Sequence, residues 1–184
     1  MSVDLPRPLD GEVRSLESRA GRLSYYAHGE GEPVLLVHSI NAAGSAIEMK
    51  PLFERLSERY RVCALDLPGF GLSERSERDY NIALYSTAVE DMLHLITATE
   101  HQSIRVVSLS LSSEFVARAL AHGAVGQSAT AVDAFVMITP TGFRRGDDKR
   151  DGPPGSSREI RWFSKLLSLG NIGKRAFNLL SRPK

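Results

Sequence analysis

The sequence holds one cysteine, Cys63, only five histidines, and no apolar run that approaches the ~18 residues of a membrane-spanning helix. A lone cysteine excludes an intramolecular disulfide and a zinc–cysteine cluster, and it points to a reducing compartment. Charge of one sign is missing too. With 23 basic against 22 acidic side chains the formal net charge is +1, so no global field recruits nucleic acid or an anionic membrane. The first residues, MSVDLPRPLDGEVRSLE, carry acids and prolines where a signal peptide needs a basic start and an apolar run. A cytoplasmic protein is therefore expected, with neither nucleic acid nor membrane as a partner. What is present is 184 residues with 42% apolar content. A chain of that length buries roughly 70% of its unfolded surface and folds without a disulfide or a metal.

Apolar runs and helical periods alternate along the chain. Gly21 to His28 and Pro33 to His38 read as strands joined by the turn-forming GEGE, and PVLLVH is apolar enough for a sheet centre. The small polar loop SINAAGSA follows, and Pro51 opens a short helix, PLFERLSERY, with Leu52, Phe53 and Leu56 on one face. The strand RVCALD ends in the turn LPGFGLS. Leu84, Ala88, Met92, Leu95 and Ile96 then trace one face of a helix. A strand SIRVVSLS, a helical stripe of Leu111, Phe115 and Ala119, and a strand AFVMITP complete the series. This order predicts an α/β fold, a mostly parallel doubly wound sheet with helices on both faces and ligands beyond the strands' carboxyl ends. From Arg144 the charged, Gly- and Pro-rich RRGDDKRDGPPGSSR reads as a linker, followed by helical segments up to Lys184. Two parts are expected, residues 1–143 and 144–184.

Chemistry concentrates in VVSLSLSSEFVARAL. A β-branched strand runs into an amphipathic helix with Ser110 at the junction and Ser108 and Ser112 on its flanks. A sharp strand-to-helix turn lifts its central side chain above the sheet, and the helix aims unpaired N–H groups at it. Glycine usually fills those flanks, although serine is small enough to do so. Taken alone, the turn reads equally as a nucleophile site or as a serine-capped helix N-terminus.

Two further segments bear on that choice. VLLVHSINAAGSA resembles the oxyanion loop of the α/β-hydrolase family, with Ser39 where a glycine is usual, and Asp66, Pro68, Gly69, Gly71 and Ser73 resemble that family's turn after the next strand. The likeness runs from about Gly21 to Phe143. It implies Ser110 as nucleophile, the N–H of Leu111 as one oxyanion donor and that of Ser39 or Ile40 as the second. It also implies that His38 supports the loop, that Asp66 caps its turn, and that residues after Phe143 begin a helical cap over the pocket. Serine at the elbow implies hydrolysis of an ester, thioester, amide or C–C bond in a small-molecule substrate, with no cofactor and no metal.

The family's chain order places an acid and then a histidine after the serine, yet no histidine follows His122. His122 lies about eleven residues along its helix, on the order of 16 Å from the elbow. His94 and His101 read as surface or packing residues. His38 is the fallback base, and Asp147, Asp148 and Asp151 are acids in linker-like surroundings. The chain is thus expected to be the N-terminal part of the fold, incomplete at its C-terminus. Loss of a triad histidine costs about 2 × 10⁶ in turnover, so activity should be very low. AFVMITP would then be an open sheet edge prone to self-association. The alternative is a non-catalytic remnant or interaction module. GFGLSE and Gly173-Lys174-Arg175 lack the residues of dinucleotide and phosphate loops.

Overall fold

In the computed structural model, residues 8–100, 103–123 and 132–141 are described. Six strands form one sheet: β1 (Glu12–Ser18), β2 (Gly21–His28), β3 (Pro33–Val37), β4 (Arg61–Asp66), β5 (Ile104–Leu109) and β6 (Val132–Ile138). Their order across the sheet is β1-β2-β4-β3-β5-β6. The pairs β4–β3, β3–β5 and β5–β6 are parallel, whereas β1–β2 and β2–β4 are antiparallel. The expected fold class holds, as a mixed sheet whose β4-β3-β5-β6 part is parallel.

β3 is buried at all five positions, as PVLLV demands, because β4 and β5 flank it and apolar layers cover both its faces. The two-residue alternation sorts the side chains. Leu23, Tyr25, Ala27, Leu35, Val37, Cys63 and Leu65 point to one layer with α2 (Ile82–Glu100) and α3 (Ser112–Gly123). Tyr26, Val34, Leu36, Val62 and Ala64 point to the other, where Phe53 of α1 (Lys50–Leu56) and Met49 close the core. Burial of thiol Cys63 in the first layer pushes its pKa up to about 11, which leaves it un-ionised at neutral pH.

Several boundaries differ from expectation for identifiable reasons. β1 carries EVRSLES, mostly exposed, so it has no apolar face to betray it, and its register comes from pairing with β2 at all seven positions. β2 and β3, consecutive in the chain, are not neighbours, because β4 lies between them. α1 stops at Leu56, whose carbonyl accepts the N–H groups of Arg59 and Tyr60 in a closing turn. On α2 the buried face is centred on Tyr85, Ala88, Val89, Met92, Leu93 and Ile96, with Leu84 and Leu95 at its margins. The rotation lets Tyr85 stack on Phe115 of α3, ring centroids 4.9 Å apart.

β6 ends the sheet. Val132 and Phe135 pack onto the core, while Val136 and Met137 are 52% and 45% exposed. The expected linker and cap helices, residues 144–184, lie outside the described residues, as do Asp147, Asp148 and Asp151. Among the described residues no helix is long and apolar enough to cross a membrane.

Candidate active site

The parallel strands β3, β4 and β5 bring three turns to one edge. Val37 pairs with Leu65 and with Ser108, so the loop from His38, the turn from Asp66 and the bend at Ser110 all begin within two residues of one row across the sheet.

Ser110 occupies the junction of β5 and α3 with φ +58°, in the left-handed region that a side chain normally avoids. Such a conformation costs about 1–3 kcal/mol and persists only where neighbours enforce it. Here they do. The Ser110 N–H donates to Ile138 O at 2.9 Å, which ties the bend to β6, and its carbonyl accepts the N–H of Ser113 at 3.2 Å as α3 starts. Thr141 approaches from the chain beyond β6, its N–H and its Oγ1 each 3.4 Å from the carbonyl and the Oγ of Ser110 respectively. The flanking serines are fully buried and partnered. Ser108 Oγ meets Ser113 Oγ at 2.9 Å, and Ser112 Oγ donates to the His38 carbonyl. A hydroxyl in place of a glycine hydrogen is tolerated here because each one has an acceptor within reach.

His38 is wholly buried and holds two turns together. The Leu67 N–H donates to Nε2 at 3.0 Å, so the ring proton resides on Nδ1, which donates to Ser39 O at 2.7 Å. Burial holds its pKa below the usual value, against the opposing pull of the Ser39 carbonyl bond and of Asp66 and Glu48. With both nitrogens committed to backbone, His38 has no lone pair to offer Ser110. Asp66 is equally committed: Oδ1 accepts Ala46 N–H at 2.8 Å and Oδ2 accepts Leu72 N–H at 2.9 Å. Gly71, at φ +48°, allows that grip, because a Cβ there would sit 2.0 Å from the Asp66 carboxylate.

The two residues expected to offer a second oxyanion donor differ. Ser39 N–H donates to Glu48 Oε2 at 2.9 Å, and its Oγ donates to the same oxygen at 2.7 Å. Ile40 N–H and Leu111 N–H have no hydrogen-bond partner among the described residues. Both side chains pack against the same core layer as Phe70, whose ring meets His38 edge-on at 5.2 Å. Glu48, Asn41, Ser113 and Thr141 were not singled out by the sequence. An acid and an amide flanking a small-residue loop at the strands' carboxyl edge were the available signal for Glu48 and Asn41. Thr141 carried none, since it gains proximity to Ser110 only through the β5–β6 pairing.

None of the other described histidines faces the bend. His28 pairs with Val62 at the opposite end of the sheet, His94 is exposed on α2, and His122 lies in the last turn of α3. His101 is outside the described residues. Among the described residues no group of three histidines, cysteines or acids is placed to hold a metal ion.

This fold is matched by known proteins. The family model described as alpha/beta hydrolase fold matches residues 32–160, and the chain belongs to that family. It is 26% identical over 162 residues to an uncharacterised protein of Mycobacterium tuberculosis, a match covering 88% of this chain and 40% of that one. Over 78 residues it is 38% identical to haloalkane dehalogenase 2 of the same species, covering 41% of this chain and 27% of that protein. A solved serine hydrolase involved in carbazole degradation has a TM-score of 0.61 at 20% identity, covering 85% of this chain and 56% of that one. The chain thus spans less than half the length of the curated relatives it matches.

Two measurements test these local constraints. Because the folded state disfavours protonated His38, stability is complete above the unfolded value of 6.5 and falls as pH drops below it. The urea midpoint should decline as pH falls below about 6.5, and His38→Asn should flatten that decline. Ser110→Gly relieves the left-handed strain, so it should stabilise the fold by about 1 kcal/mol and raise Tm by about 2–4 °C, an effect Ser110→Ala should not reproduce.

Proposed function

We propose that this chain carries the nucleophile and oxyanion half of a serine hydrolase site acting on a small ester, thioester, amide or C–C substrate in the cytoplasm. The observation that supports it most is the strained left-handed bend at Ser110, held by Ile138 and Ser113 against its own conformational cost. Ser110 Oγ would attack the acyl carbon and form a tetrahedral adduct. The adduct's oxygen would be held by the N–H groups of Leu111 and Ile40, the latter being the donor that Glu48 leaves free. Collapse would expel the leaving group and give an acyl-serine, which water then cleaves.

The proton of Ser110 needs an acceptor, and neither His38 nor any other described histidine supplies one. With the oxyanion donors alone, a comparable site retains about 10³–10⁴ over the uncatalysed rate and loses about 2 × 10⁶ from full turnover. Fluorophosphonate treatment followed by mass spectrometry should find slow modification at Ser110 and none in Ser110→Ala. Joining the chain to family strands that bear an acid and a histidine should accelerate it by several orders of magnitude. Absence of label in both forms would remove the hydrolase reading and leave the non-catalytic interaction module.

We also propose that the free edge of β6 pairs with β6 of a second copy. Val136 and Met137 are exposed, and β6 has no strand on its outer side among the described residues, which supports this. Sedimentation velocity should register concentration-dependent association that Met137→Lys weakens. A strictly monomeric parent chain at high concentration would rule it out.

A further inference from the structure

We infer that Glu48 is a positioning residue for the oxyanion loop, one that fixes which backbone N–H of that loop faces the reacting oxygen. The inference rests on the serine-hydrolase reading above. Its basis is a closed set of hydrogen bonds at the mouth of β3. One carboxylate oxygen of Glu48 accepts both the backbone N–H and the Oγ–H of Ser39, at 2.9 and 2.7 Å, while the other accepts the side-chain amide of Asn41. That amide also donates to Ser39 Oγ at 2.7 Å, and Asn41 Oδ1 accepts the N–H of Ala43 at 2.8 Å. From the opposite side His38 Nδ1 fixes the Ser39 carbonyl. Both polar groups of the Ser39 backbone are therefore spoken for.

The loop has two N–H groups that could serve an oxyanion. A carboxylate oxygen is itself a stand-in for such an oxygen, and it already occupies the one on Ser39. The Ile40 N–H, one residue on, remains unpartnered among the described residues. Glu48 thus does for Ser39 what a glycine at that position would not need: it anchors a residue with a side chain and a polar head, and orients the next peptide unit. Substituting Glu48 leaves Ser39 N–H without its acceptor and Ser39 Oγ tied only to Asn41, and the loop loses its reason to present Ile40.

The test uses the full chain, with the fluorophosphonate probe at about pH 9 so that hydroxide ion serves as proton acceptor, alongside amide hydrogen exchange. In the parent, Ser39 N–H should be protected and Ile40 N–H should exchange readily. Glu48→Ala should speed exchange at Ser39 by about tenfold or more and slow Ser110 modification by about 10- to 100-fold, part of what removal of one donor costs. Exchange within β3, at Leu36, should stay unchanged. Glu48→Gln sets two amide donors against each other at Asn41, so it should also slow labelling. Adding Asn41→Asp restores a donor–acceptor pair and should recover much of the rate. Equal labelling of the parent and Glu48→Ala overturns the positioning role while leaving Ser110 as nucleophile. A parent that shows the Ser39 protection but never labels at Ser110, even when joined to family strands that bear an acid and a histidine, overturns the nucleophile reading, and the positioning role of Glu48 with it.

Discussion

A single buried imidazole links the elements at the carboxyl edge of this sheet. His38 accepts from the turn after β4 at Leu67, donates to its own loop at Ser39, and offers its carbonyl to Ser112 at the start of α3. Three strands' worth of loop are thereby referred to one rigid ring and its peptide. In a buried setting each of these bonds is stronger than in water, and an unpaired partner would cost about 1–3 kcal/mol. The arrangement works only with a neutral ring of one tautomer, which is the form that burial favours. A histidine so used is unavailable for proton transfer.

Where a segment's apolar pattern matches its burial, the sequence was easy to read. PVLLV announces a central strand, RVCALD its neighbour, and the stripe of Phe115 and Ala119 a packed helix, because each is covered on the face its side chains dictate. β1 was illegible for the opposite reason: its residues are mostly exposed, and its place follows from pairing with β2. The insertion of β4 between β2 and β3 is a property of the whole sheet and has no local signature. At the site, Ser110, Leu111, Ile40, His38 and Asp66 could be selected from motif likeness, but the engagement of Ser39 could not. It depends on where Glu48 lands after a short 3-10 turn at Ala46–Met49.

Charge is used here at short range. With a net charge of +1 the protein has little long-range field, yet Glu48 and Asp66 each hold two or more donors that secure loops. Burial tends to raise the pKa of Glu48, but the bonds from Ser39 and Asn41 outweigh it, so the carboxyl stays ionised into more acidic solution than usual. The edge is therefore held by fixed dipoles and anions whose geometry is set before any ligand arrives.

The serine pair beneath the bend also bears on how this site can change over generations. Ser108 and Ser113 satisfy one another where both are fully buried, so replacing either by glycine strands the surviving hydroxyl. A lineage that replaced Ser108 by glycine would pass through a less stable intermediate unless the codon for Ser113 altered in close succession. The two positions should consequently vary in concert among descendants.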